Sequence, residues 1–113
     1  MFIYKICRQG EWAEAERQAV FAGSAKDRED GFIHFSTAQQ VPGTLARYYA
    51  GATDLVLAAV DPVPLGEALR YEPSRGGALF PHLYGTLPLT CVRWTRPIAR
   101  NQDGGYVLPR EMV

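Results

Sequence analysis

The run Leu55-Val56-Leu57-Ala58-Ala59-Val60 constrains this chain more than any other segment. It is continuously apolar, with Asp54 before it and Asp61-Pro62 after it. A short unbroken apolar run between polar boundaries predicts a central strand buried on both faces. The remainder of the chain must therefore cover two sides of one strand. At 113 residues it has enough surface to bury for one core, so residues 1–113 are read as a single domain.

The other elements are shorter. Phe2, Ile3, Tyr4 and Ile6 predict a first strand over residues 1–7, which Gly10 breaks. Glu11 to Phe21 predicts a helix with Trp12, Ala15, Ala19 and Val20 on one side, although Glu16 falls inside that arc. Ala22 to Asp30 is small and charged, a loop by composition. Gly31 opens the strand Phe32-Ile33-His34-Phe35-Ser36. Thr37 is then a candidate helix cap with Gln40 as its capping-box partner, and Pro42 predicts a kink or fresh start. Val41, Leu45, Tyr48 and Tyr49 recur at helical spacing until Gly51. Tyr48, Tyr49 and Trp12 are read as core aromatics.

Further strands are expected over Leu69 to Glu72, Thr90 to Thr95 and Tyr106 to Leu108. An extended segment, Leu79 to Gly85, follows the Gly-rich loop Ser74 to Ala78. Two early helices followed mostly by short strands, without regular alternation, predict an α+β fold of small mixed or antiparallel sheets.

Twelve basic and twelve acidic residues balance, which argues against the extended basic face that nucleic-acid binding needs, and no nucleic-acid partner is expected. No apolar run approaches bilayer length, so no membrane partner is expected either. The opening Met1-Phe2-Ile3-Tyr4-Lys5 lacks signal-peptide features, and the expected location is cytoplasmic. Cys7 and Cys91, each flanked by apolar residues, are read as buried thiols, and no cysteine or histidine spacing calls for a metal.

Two segments carry candidate chemistry. In Gly31 to Thr37, strand alternation puts Phe32, His34 and Ser36 on one face, with Ile33 and Phe35 on the other. If Ile33 and Phe35 enter the core, His34 and Ser36 look into a neighbouring cleft, where His34 can donate a hydrogen bond or move a proton near neutral pH. The competing reading is a satisfied core histidine, with Ser36 and Thr37 only capping a helix. The second segment, Glu72 to Gly85, gathers Glu72, Ser74, Arg75, His82 and Tyr84 around a flexible stretch. Arg75 suits a phosphate or carboxylate, and His82 and Tyr84 share a strand face. Walker, G-x-G-x-x-G, G-x-S-x-G and H-E-x-x-H motifs do not occur.

Gly31-Phe32-Ile33-His34, Ser36-Thr37, Gln40-Val41, Asp54-Leu55-Val56-Leu57 and Phe80-Pro81-His82-Leu83-Tyr84-Gly85 together resemble a mostly bacterial family, the domain of unknown function number 952. The resemblance runs from Tyr4 to about Val92. It implies a distant similarity to the ADP-ribosyltransferase fold, with NAD bound in a cleft between two small sheets. By that analogy the first strand supplies one cleft residue, here Lys5, where relatives commonly carry a histidine. The strand with His34 supplies a second residue and a later segment a third. Glu72 is the candidate carboxylate for orienting a ribose hydroxyl.

These readings lead to one expectation and two alternatives. The expectation is an ADP-ribosyltransferase-like protein taking NAD or a related nucleotide as substrate. His34, His82 and Glu72 would be catalytic, with Ser36, Thr37, Arg75, Tyr84 and Lys5 binding the ligand. No cofactor is required, and a monomer or weak homodimer is expected. The alternatives are a non-catalytic module for a small anionic metabolite and a histidine-based acid/base enzyme acting on another small substrate.

Overall fold

The computed structural model describes residues 1–112. Its central strand is β4 (Leu55–Val60), paired antiparallel with β1 (Ile3–Arg8) on one edge and β8 (Val92–Pro97) on the other. Alternation along β1 and β4 divides the interior in two. Ile3, Cys7, Ala58 and Val60 face a core containing Trp12, Phe21, Phe35 and Leu83. Tyr4, Ile6, Leu57 and Ala59 face a second core built on Val41, Leu45 and Ile98. This two-sided cover is what the unbroken apolar run requires.

The remaining elements in chain order are α1 (Gln9–Gln18), β2 (Val20–Phe21), α2 (Ala25–Asp30), β3 (Ile33–His34), α3 (Val41–Tyr48), β5 (Leu69–Pro73), β6 (Leu79–Leu83), β7 (Leu87–Pro88), β9 (Ala99–Arg100) and β10 (Tyr106–Val107). A second antiparallel sheet has the order β3-β6-β5, while β2 pairs β7 and β9 pairs β10. The fold is thus α+β, with small antiparallel sheets and early helices. Tyr4 and Ser36 exchange two backbone hydrogen bonds, 2.8 and 2.9 Å, and so join the first sheet to the segment leaving β3. No helix among the described residues is long and apolar enough to cross a membrane.

Several local expectations are corrected. The first strand runs on to Arg8, and Gly10 lies inside α1. That helix stops at Gln18, because Ala19 adopts a left-handed conformation (φ 62°) and turns the chain into β2. Phe21 thereby packs against Trp12 at 5.9 Å, while Ala19 and Glu16 are exposed.

The supposed loop before Gly31 contains α2. Ser24 caps it, its Oγ accepting from Asp27 N–H (3.2 Å) while Asp27 Oδ2 accepts from Ser24 N–H (2.9 Å). Gly31, at φ 86°, closes the other end with an N–H bond to Asp27 O. Composition hid this helix because Asp27 is its only buried residue and it has no apolar stripe.

Helix α3 begins at Val41, with Pro42 in its first turn, where a missing N–H costs nothing. Thr37 contributes its backbone to the preceding turn, its N–H donating to Gln40 Oε1 at 3.0 Å, and makes no side-chain cap. Tyr48 is 60% exposed and is not a core residue, whereas Trp12 is 6% exposed.

Candidate functional site

A cavity of about 550 Å³ is walled by residues of both three-stranded sheets, including Lys5 and Ile6 of β1 and Phe80 and His82 of β6. Ligand sites commonly span roughly 300–1,000 Å³, so this space admits a small molecule. Its chemistry is set where β3 meets β6. Ile33 pairs with Leu83, and His34 pairs with His82, so one register brings the two histidines of the chain side by side. Ile33, Phe35 and Leu83 enter the core, leaving the histidines on the other face. Their ring centroids lie 5.6 Å apart, and Phe32 stacks on His82 at 4.1 Å and contacts His34 at 4.7 Å.

His34 is held between two carboxylates of α2. Its Nδ1 lies 2.6 Å from Asp27 Oδ1 and its Nε2 2.9 Å from Asp30 Oδ2. An ionised carboxylate only accepts, so both bonds form together only when both ring nitrogens carry protons. Beneath the ring, Lys5 Nζ sits 2.8 Å from Asp27 Oδ2 and donates to His34 O at 3.0 Å. Asp27 also accepts the backbone N–H groups of His34 and Ser24. Burial alone would push the Asp27 carboxyl up. The His34 hydrogen bond, the Lys5 ammonium and the Ser24 N–H outweigh it and hold the carboxyl well below the ordinary range.

His82 is placed differently. Its Nδ1 is 2.8 Å from Glu72 Oε1, on the neighbouring strand β5, and the Tyr84 hydroxyl donates to the same oxygen at 2.7 Å. The bonds from Tyr84 and then His82 hold the Glu72 carboxyl below its usual value, and the bond to Glu72 raises the Tyr84 phenol. With Nδ1 committed to Glu72, the second nitrogen of His82 has no protein partner among the described residues.

The mouth is formed by α3 and the turn after β5. The Arg75 guanidinium lies 4.9 Å from the Phe80 ring and 5.9 Å from that of Tyr48, with Nη1 3.5 Å from Thr44 Oγ1. Thr44 Oγ1 is 3.0 Å from Ser36 Oγ, whose residue is buried. Of the cations lining the cavity, Lys5 is paired with Asp27 and Lys26 with Asp30, whereas Arg75 has no carboxylate partner among the described residues. No three His, Cys, Asp or Glu side chains among the described residues converge as a metal site requires.

The family pattern described as a protein of unknown function (DUF952) matches residues 6–95. The chain belongs to this family. The crystal structure of protein CC0527 from Caulobacter crescentus is similar to it, with a TM-score of 0.92 and 44% identity, covering 99% of this chain and 98% of that one. The solution NMR structure of CC0527 gives a TM-score of 0.83 and 46% identity over 92% of this chain and 90% of that one. No curated protein matches.

In this DUF952 chain the expected site residues divide. His34, His82, Ser36, Arg75 and Lys5 line the cavity. Lys5 does so as a buried ammonium already bonded on the protein side. Glu72 and Tyr84 stand behind His82, and Thr37 stays in the turn before α3; none of the three is part of the lining. Asp27, Asp30, Thr44 and Tyr48 complete the site and were not anticipated in it. The pattern Ser24-x-x-Asp27 before a closing Gly31 was the available signal for α2, and through it for the two aspartates.

Proposed function

We propose that the cavity binds a small anionic ligand of the nucleotide class, NAD or a relative, in an ADP-ribosyltransferase-like manner. The observation that carries this reading is Arg75, a half-buried guanidinium at the cavity with aromatic neighbours and no carboxylate partner among the described residues. A planar fork of donors in that setting suits a phosphate, and the Tyr48 and Phe80 rings offer apolar surface beside it. Ser36, Thr44 and His82 supply hydroxyl and imidazole groups for sugar hydroxyls.

Glu72 acts in this reading through His82, not by touching the ribose, because it stands behind His82 and is not part of the cavity lining. The reaction that follows from NAD as occupant is breakage or transfer at the N-glycosidic bond, read as nicotinamide release. The first test is a thermal-shift titration with NAD, ADP-ribose and AMP, run beside Arg75→Ala. A ligand at about a hundred times its dissociation constant stabilises the fold by roughly 2.7 kcal/mol. The expected result is a shift that Arg75→Ala removes. No shift with any of the three at millimolar concentration sinks the nucleotide reading. A shift with other small anions but not these assigns the cavity to an anionic metabolite of another class.

A further inference from the structure

We infer that Glu72 and His82 form a proton-accepting dyad whose open nitrogen, His82 Nε2, takes a proton from a hydroxyl group or water bound in the cavity. The inference does not depend on the occupant being a nucleotide.

The geometry assigns the tautomer. Glu72 Oε1 already accepts from Tyr84, and as a carboxylate oxygen it can also accept the His82 Nδ1 proton at 2.8 Å, but it cannot donate one. The neutral ring is therefore protonated on Nδ1, and Nε2 presents a lone pair. That atom is not sealed in the core. Among the described residues, the only fully buried side-chain nitrogen or oxygen without a partner is Trp12 Nε1. His82 Nε2 also lacks a protein partner and belongs to a residue that lines the cavity, so it meets the cavity space. Phe32, stacked 4.1 Å from the ring at an interplanar angle of 27°, holds its plane.

In the step itself the O–H bond of the bound group breaks, the electron pair stays on oxygen and the proton moves to Nε2. Glu72 remains ionised and balances the imidazolium, while the bond at Nδ1 keeps the ring aligned. His34 cannot do the same work, because both of its nitrogens face carboxylates. It stands 5.6 Å away as a wall of the site. Arg70, opposite His82 in the β5–β6 register, and Tyr84 flank it on the sheet, and Arg75, Lys5, Lys26, Asp27 and Asp30 line the same cavity. The substrate class that fits is a small anion bearing a hydroxyl, its charge on Arg75 and its hydroxyl on His82.

Two measurements on the whole protein test this without any ligand. Long-range nitrogen–proton spectra of the imidazoles at neutral pH should show His82 protonated on Nδ1 alone. Glu72→Gln, which keeps an acceptor, should retain that tautomer. Glu72→Ala should release the tautomer. In the unaltered protein, diethyl pyrocarbonate, which acylates an imidazole nitrogen that has no bonded partner, should modify His82 before His34, although the His82 side chain is only 6% exposed against 33% for His34, because both His34 nitrogens are engaged. A His82 protonated on Nε2 at neutral pH, or a His82 that resists acylation while His34 reacts, would falsify the dyad. Since both decisive readings use the unaltered chain, a variant that fails to fold leaves the test intact. A dyad present without any nucleotide shift retires the nucleotide reading alone.

Discussion

The two histidines occupy adjacent register positions of one sheet, yet their surroundings give them opposite characters. Around His34 every polar atom is spoken for. Two aspartates bracket the ring, a lysine lies beneath, and Asp27, 2% exposed, collects donors from four groups. Around His82 there is one carboxylate and one spare nitrogen. The difference teaches that carboxylate count, more than residue type, decides whether a histidine ring has both nitrogens engaged or one left over. A histidine between two acceptors has both ring nitrogens engaged, whereas one with a single acceptor at Nδ1 leaves Nε2 over.

The comparison breaks most readily at Asp27. Asp27→Ala strands the buried Lys5 ammonium and uncaps α2, so a loss of about 3–5 kcal/mol in urea unfolding is expected. A loss below about 1 kcal/mol would show that the pair is not the anchor described. Next comes His34→Ala, which removes a hydrogen bond from Asp27 and from Asp30 and should cost about 1–3 kcal/mol. The same change should leave acylation of His82 in place, since the two stations share no hydrogen bond.

Acid sharpens the contrast. The Asp27 carboxyl sits lower in the folded chain than in the unfolded one. It therefore contributes stability that is fully present above about pH 4 and is lost as pH falls toward and through the folded value. Unfolding free energies measured down an acid pH series should fall, and Asp27→Asn should flatten that slope. An unchanged slope in the variant assigns the acid loss to other carboxylates.

The smallest effect belongs to the mouth of the cavity. Gly43, in α3, faces Arg75 so closely that an added Cβ would lie 3.2 Å from Nη2. Gly43→Ala should raise helix stability by up to about 0.8 kcal/mol while displacing the guanidinium by a few tenths of an ångström. Melting temperature should hold or rise as affinity for the anion proposed to occupy the cavity falls. Equal affinity in the variant would remove Arg75 from the binding site.

Much of the frame was legible in the residues. The apolar run of β4, the alternation that sends Ile33 and Phe35 inward, and the polar segments around His34 and His82 all carry local periodicity, which follows directly from backbone geometry. The short charged helix α2 was not legible as composition, because its one inward residue is an aspartate. Tyr48 was misplaced because helical spacing says which residues share a side, but not what that side meets.

The sequence by itself determined a doubly covered central strand, the α+β class and two histidine segments worth attention. Only the tertiary structure decided that β3 and β6 pair in the register that sets His34 beside His82, and that α2 brings Asp27 and Asp30 to the first while β5 brings Glu72 to the second. The reason is physical: periodicity is a property of neighbours along the chain, whereas a protonation state is set by whichever charges and hydrogen-bond partners folding brings within a few ångströms.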